Sequence, residues 1–227
     1  TKRLNKLRNK GIKRAKNKKV LLIDNDVEIK KDFMIEMTKV MDKDQRVAAC
    51  IPRLMYKSEP SKIYSGRERV HYVGATTSPG RDTERDVTTR DIKIAAGGGI
   101  ALFDKKRMEG VGLFDEGYQF GWGCDGELHQ RILMAGLKCV YVPSAVGYHE
   151  YKELDNSRSY RVRGQVYNRQ RYIITHYSSI TLFFVFPSLF IYELVQASFC
   201  LLKGFPILYL KGMLDAIRGI PEILKKR

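Results

Sequence analysis

Two carboxylates separated by one asparagine, Asp24 and Asp26, close the aliphatic run "LLIDND". Ionised carboxylates repel one another, and setting a pair at the end of a buried strand costs free energy unless a positive charge is held there. A divalent cation, which prefers oxygen ligands, meets that cost. Asp125, in "CDGELHQR", stands where a helix is expected to begin. Free backbone amides and the positive end of the helix dipole would hold it ionised and fixed there, as an N-cap or as a general base. Gly97, Gly98 and Gly99 lie between two apolar segments. Three glycines there serve either a tight turn or bulge, or a close approach of backbone to a ligand.

The elements that must position these residues read as an α/β chain. "VLLI" (Val20 to Ile23) is a short unbroken apolar run, the pattern of a parallel strand covered on both faces. Ile29, Phe33, Met37, Val40 and Met41 then recur at helical spacing, and "VAACI" (Val47 to Ile51) predicts a second buried strand. Strands alternating with helices predict a sheet whose ligands gather at the carboxyl ends of its strands, where Asp24 and Asp26 fall. From Met55 to Asp91 the chain is polar, and "SPGRDTERD" (Ser78 to Asp86) reads as a long loop of the functional or mobile kind. Leu128, Ile132 and Leu133 to Ala135 form a helix face behind "CDGE", Gly136 stops it, and "KCVYV" is a further strand before Pro143. A basic, Tyr-rich helical segment, Arg158 to Thr175, follows.

Composition narrows the class. A chain of 227 residues with 44% hydrophobic content has a globular core and is not a disordered chain. Its 41 basic against 25 acidic residues give +16, which calls for a polyanionic partner: nucleic acid, an anionic membrane surface or phosphorylated substrates. Cys50, Cys124, Cys139 and Cys200 form no CxxC pair, so neither a zinc knuckle nor a disulfide framework is expected, and a reducing compartment is the default. The opening "TKRLNKLRNKGIKRAKNKK" reads as an entry partway through a longer protein. It is either a solvated basic helix with Leu4, Leu7, Ile12 and Ala15 as its buried stripe, or a nucleic-acid-binding arm. Nucleic acid ranks last as a partner because the aromatic residues concentrate in the apolar C-terminal segment rather than among the basic ones. No GxSxG, HExxH or P-loop occurs.

The last quarter changes character. "TLFFVFPSLFIYELVQASFCLL" (Thr181 to Leu202) is nearly long enough to cross a bilayer, which takes about 20 apolar residues. Pro187, Glu193 and Gln196 weaken a full span, since a charge at the bilayer centre costs roughly 3 kcal/mol. The following stretch alternates apolar clusters with Lys203, Lys211, Arg218 and a terminal Lys-Lys-Arg, a pattern suited to lying in a membrane interface. The competing reading is a hydrophobic helical hairpin packed on the main domain or on a partner. The expected division is 1–177 for the α/β domain and 178–227 for the membrane-associated helices.

Four blocks in order resemble a family 2 glycosyltransferase of the GT-A fold, rhamnosyltransferase-like. They are "NKGIKRAKNKKVLLIDNDVEI", "AAGGGIALFDKKRMEGVGLFDE", "GWGCDGELHQRILMAGLKCVYVPSAVGYHE" and "YNRQRY", together covering about Asn9 to Tyr172. The resemblance implies an inverting transfer of a sugar from a nucleotide-diphosphate donor to a hydroxyl of a glycan or lipid-linked acceptor, as in polysaccharide biosynthesis, at the cytoplasmic face of the membrane. It implies that Asp24, Asp26 and His149 hold Mn2+ or Mg2+ against the diphosphate, and that Asp125 is the general base for the acceptor hydroxyl. Gly97 to Gly99 would let the backbone approach the donor sugar. Trp122 would stack on a sugar face or sit in the core, and Glu127 would line the acceptor side or orient Arg131. The family carries Glu-Asp where this chain has Cys124-Asp125. The resemblance also starts partway into the family's domain, so the opening strand and helix, with the acidic residue that reads the nucleotide base, are expected to be missing. A catalytically silent, membrane-associated binding module of the same fold is the alternative expectation.

Overall fold

The computed structural model describes residues 4–83, 92–93, 99–119, 123–150 and 157–226. Helix α1 (Leu4–Arg14) leads into strand β1 (Lys19–Ile23), the short β2 (Val27–Ile29) and helix α2 (Phe33–Lys43). Strands β3 (Val47–Tyr56), β4 (Ile63–Ser65), β5 (Arg69–Val70), β6 (Thr76–Thr77), β7 (Ile92–Lys93) and β8 (Ile100–Asp104) follow. Helices α3 (Lys105–Gly110) and α4 (Cys124–Met134), strand β9 (Lys138–His149) and helices α5 (Ser157–His176), α6 (Ser179–Leu202) and α7 (Pro206–Leu224) complete the chain.

The main sheet is mixed, ordered β1-β8-β3-β9-β2, with β4 added beside β3 and β7 beside β9, while β5 and β6 form a separate hairpin. β3 and β9 pair in parallel, and β8 lies antiparallel to both β1 and β3. β1, β3 and β9 therefore point the same way and end on one edge. This corrects the parallel pairing expected for β1: its neighbour is antiparallel, and with β8 its one partner among the described residues it stays partly exposed. Ile29 likewise belongs to β2 rather than to the helix, whose buried face is Phe33, Met37 and Met41.

Side chains alternate across the sheet, as strand geometry requires. Ile51, Phe103 and Tyr141 join Ile12, Leu128 and Ile132 in one layer under α1 and α4. Cys50, Leu54, Leu102 and Val142 join Phe33, Met37 and Met41 in the other, under α2. β3 and β9 run through Pro52 and Pro143, past the ends that the sequence predicts. The ladder absorbs the lost N–H donors by a register shift, Pro52 facing Val142 and Arg53 facing Val146.

The buried stripe of α1 also differs from the expected one. Ile12 is buried as expected, but Leu4 and Leu7 are exposed (Leu7 62%), and Asn5 and Asn9 face inward in their place. The Asn9 amide donates to the Phe114 carbonyl (2.9 Å) and accepts from the Phe114 N–H (3.0 Å), while Asn5 donates to the Asp115 carbonyl (2.8 Å). Two amides thus clip α1 to the segment before α4.

At the C-terminal end α7 packs along α5. Gly212 permits the approach, because a Cβ there would stand 2.7 Å from the Arg163 carbonyl oxygen and 2.8 Å from Val166 Cβ. Fully buried Arg171 of α5 donates to Asp115 (2.8 Å) and to the Tyr167 hydroxyl (3.1 Å), and it reaches Glu222 of α7 (3.4 Å). α6 has the length and hydropathy to cross a membrane, with a mean hydropathy of 1.7 over its most apolar stretch, and Phe183 and Phe184 are three-quarters exposed.

Candidate active site

The carboxyl ends of β1 and β9 bring the first group together. Asp24 follows β1, and its N–H donates to the Gly99 carbonyl (2.8 Å), which extends the β1–β8 ladder by one step. Gly99 has φ +81, and a Cβ there would touch Asp24 Oδ2 at 3.4 Å, so glycine serves both a backbone turn and the space beside the carboxylate. His149 closes β9 opposite Val27, which places its imidazole beside Asp26: Nε2 stands 3.5 Å from Asp26 Oδ1. Tyr64 stacks on the far face of that ring, with centroids 4.3 Å apart and planes within 8°. The guanidinium of Arg81 covers Tyr64 in turn at 4.8 Å. Burial, opposed by Asp26 and assisted by Arg81, lowers the His149 pKa and keeps the ring neutral, the form that offers a lone pair to a metal.

The second group is Asp125 with its neighbours. Gly123, at φ +113, caps α4, and Asp125 lies inside the first turn. The expected N-cap role of Asp125 therefore falls to Gly123, leaving its carboxylate free for other partners. Its partner is Arg8 of α1, whose Nη1 donates to Asp125 Oδ1 at 3.0 Å. Arg8 Nη2 also stands 3.6 Å from Asp24 Oδ1. One guanidinium, stacked on Phe114 at 5.3 Å, spans two acidic positions that lie a hundred residues apart.

Electrostatics follow from this crowding. Burial raises the Asp24 pKa first; Arg8 lowers it, and Asp125 and Asp26 push it up again, leaving it above the usual carboxylate value. Burial alone would depress Arg8, but Asp125, Cys124 and Asp24 outweigh it and raise its pKa. The Cys124 thiol is driven well up by burial and by the adjacent Asp125, so it remains a neutral thiol beside the carboxylate.

Glu127 and Arg131 point elsewhere. Glu127, only 2% exposed, accepts from Arg131 Nε (2.6 Å) and Nη2 (2.8 Å) and meets His176 Nε2 at 3.2 Å. Burial favours its neutral form, yet the His176 and Arg131 hydrogen bonds prevail and lower its pKa. Arg131 in turn donates to the carbonyls of Val111 and Leu113 (2.6 Å to the latter). The pair braces the turn before α4 from inside. Gly97, Gly98 and Trp122 lie outside the described residues.

Arg8, which contacts both Asp24 and Asp125, sits within a basic run that reads in sequence as a solvated face. A signal was present: Asn5, Asn9 and Ile12 recur at helical spacing and define a face that carries Arg8 beside it. Among the described residues no group of three His, Cys, Asp or Glu side chains forms a ready-made metal centre. The donor set is nevertheless of the right kind for a hard divalent cation: two carboxylates at the sheet edge and a neutral imidazole 3.5 Å from one of them.

Residues 2–111 match the family model described as glycosyl transferase family 2. No curated protein matches the sequence. Among solved structures, that of GalNAc-T7 with UDP, GalNAc and Mn2+ superposes with a TM-score of 0.60 at 18% identity, over 80% of this chain and 36% of that one. Mannosyltransferase PcManGT from Pyrobaculum calidifontis, in complex with GDP-Man and Mn2+, aligns over 93% of this chain and 64% of its own at 12% identity, with a TM-score of 0.47 that adds no weight. The chain thus spans about a third of the length of the first relative and under two thirds of the second.

Proposed function

We propose, from the premise that residues 2–111 are part of a family 2 glycosyltransferase domain with the GT-A fold, that this chain transfers a sugar from a nucleotide-diphosphate donor to an acceptor hydroxyl with inversion at the anomeric carbon. The observation that carries the reading is the Arg8 bridge, which ties Asp125 to Asp24 at the end of β1, with the Asp26–His149 pair at the end of β9 beyond it. Asp125, held in place by the Arg8 hydrogen bond in the first turn of α4, accepts the proton of the attacking hydroxyl. A single displacement needs no carboxylate nucleophile.

Asp24, Asp26 and His149 would hold the divalent cation, Mn2+ or Mg2+, which would offset the charge that builds on the leaving diphosphate. Gly99 keeps the floor beside Asp24 open to the donor. Trp122 is assigned to the acceptor side by its nearness in sequence to Asp125. The acceptor is a glycan or lipid-linked hydroxyl. Residues 1–177 carry the transfer and residues 178–227 the membrane contact, at the cytoplasmic face. The unburied apolar face of α6, together with the exposed Ile207, Leu210, Leu214 and Ile217 of α7, supports that contact.

A catalytically silent binding module remains the second reading, and the same Arg8 bridge favours it in one respect: a guanidinium already neutralises both acidic positions. The deciding experiment measures Mn2+-dependent release of nucleoside diphosphate from a panel of nucleotide sugars, with acceptor lipid and membrane supplied. Release abolished by Asp24→Ala and cut about 100-fold or more by Asp125→Asn supports transfer. Release from no donor by folded protein supports the silent module.

A further inference from the structure

The three acidic residues of α6 and α7 each meet an arginine of α5. Glu193 pairs with Arg169 and accepts from the Tyr209 hydroxyl at 2.7 Å. Asp215 accepts from Arg163 Nε (2.7 Å) and Nη2 (2.9 Å), and Glu222 stands 3.4 Å from Arg171. Arg169 also stacks on Tyr192 of α6 at 4.7 Å and donates to the Val73 carbonyl (2.9 Å), in the turn between β5 and β6. Two turns further along α6, Cys200 is buried with Val166 of α5 and Tyr209 of α7. One side of α6 is thus fastened near its middle to α5 and, through Arg169, to the β5–β6 hairpin.

The other side of α6 is apolar and open. Phe183, Phe190, Leu194 and Leu201 are each more than half exposed, and at about 100° per residue they fall on one line along the helix. On α7 the exposed Ile207, Leu210, Leu214 and Ile217 recur at helical spacing, away from buried Tyr209, Gly212 and Ala216. Lys211 and Arg218 are exposed and directly follow Leu210 and Ile217, so they run along one rim of that stripe. At the end of α6, Lys203 reaches over the Phe199 ring at 6.0 Å. The outer face therefore combines apolar area with basic charge, while the carboxylates of both helices are engaged by α5. That combination is complementary to an anionic lipid surface, where apolar burial and headgroup attraction act together.

The fastening also decides how α6 can meet lipid. A helix of 24 residues is about 36 Å long against a hydrocarbon core of about 30 Å, so a crossing α6 would set Glu193 close to the bilayer midplane. Arg169, the Val73 carbonyl and the open edges of the two-stranded β5–β6 hairpin would follow it into hydrocarbon. Backbone polar groups there have no water to bond. We propose that the outer faces of α6 and α7 rest in one leaflet of anionic lipid, with α6 lying along the surface rather than across the bilayer. The lipid class and the orientation deepen the membrane contact proposed above and rest on it, but not on glycosyl transfer.

The test binds the 227-residue chain to vesicles of phosphatidylcholine, alone or mixed with phosphatidylglycerol, and reads affinity by co-sedimentation. The mixed vesicles should bind more tightly, and added salt should weaken that preference. A double variant, Lys211→Gln with Arg218→Gln, should bind the mixed vesicles about 30-fold more weakly, roughly fivefold per charge, with its melting temperature unchanged. Orientation is read from the immersion depth of nitroxide labels at Phe183→Cys, Phe190→Cys and Leu201→Cys, the four native cysteines being buried. The outer two positions lie about 27 Å apart along the helix axis. Equal, shallow depths at all three uphold the proposal, whereas a deep label at 190 between two shallow ones marks a crossing helix and overturns it. Equal affinity for both kinds of vesicle would overturn the anionic leaflet and keep the membrane contact. Binding to neither would overturn both, and burial of the three labels in a dimer would then make this face a protein interface.

Discussion

Replacing Arg8 by methionine removes a charge and keeps most of the volume, and the geometry around the guanidinium sets the size of the effect. The contact with Asp125 is a charge-assisted hydrogen bond at 3.0 Å between side chains that are 16% and 29% exposed, worth about 1.5–3 kcal/mol. The contact with Asp24 is longer, at 3.6 Å, and the carboxylate is 44% exposed, so solvent screening holds it to about 0–1 kcal/mol. Part of the sum is offset because a buried guanidinium no longer has to be desolvated, leaving a net loss of roughly 2 kcal/mol. At ~2–4 °C per kcal/mol for a chain of this size, the metal-free protein should melt about 4–8 °C lower. Mn2+ should reverse part of the loss. A cation at Asp24 and Asp26 must displace or repel the neighbouring guanidinium in the wild type, whereas Arg8→Met has none to displace. Recovering about 1 kcal/mol corresponds to roughly fivefold tighter Mn2+ binding. Thermal melting across a Mn2+ titration reads both effects. An equal Mn2+ shift in the two proteins would show that Arg8 and the metal do not share Asp24, and a weaker shift in the variant would make Arg8 a scaffold for the site rather than its competitor.

Three other outcomes test the frame around the site. Arg171→Met should cost about 3–5 kcal/mol in urea unfolding, because it leaves Asp115 buried at a broken ion pair whose carboxyl is now held below its usual pKa, against the effect of burial, by Arg171 and Lys226. Gly212→Leu should separate α7 from α5, seen as faster proteolysis of the C-terminal helices, since a Cβ already meets backbone oxygen at 2.7 Å. His129 is fully buried with neither ring nitrogen bonded, and burial pushes its pKa down to about 4. Its folded pKa lies below the unfolded value of ~6.5, so the unfolded chain binds more protons and stability falls as pH drops through that window, by roughly 3 kcal/mol from pH 6.5 to 4. His129→Leu should flatten that part of the stability curve relative to wild type; parallel curves would refute the assignment.

Local pattern carried much of the fold. The apolar run ending in Asp24, the helix that opens at Cys124 and stops at Gly136, and the long apolar α6 were all legible because periodicity and turn residues act within a few positions of themselves. The need for a positive partner at Asp24 was legible too, since two carboxylates at a strand end raise the same electrostatic question in any fold. What tertiary structure decided is which distant groups answer it. Nothing local in a basic run says that Arg8 will lie between Asp24 and Asp125, or that Glu127 and Arg131 will turn inward to hold the Val111–Leu113 turn. Strand order is the same kind of fact. β1 reads as a parallel strand from its aliphatic run, but β8, supplied by residues far along the chain, inserts antiparallel beside it. Composition and spacing determine which surfaces must be buried and which charges need partners, whereas only the closing of long loops around one sheet selects the partner, because that choice depends on contacts between residues that the sequence keeps far apart.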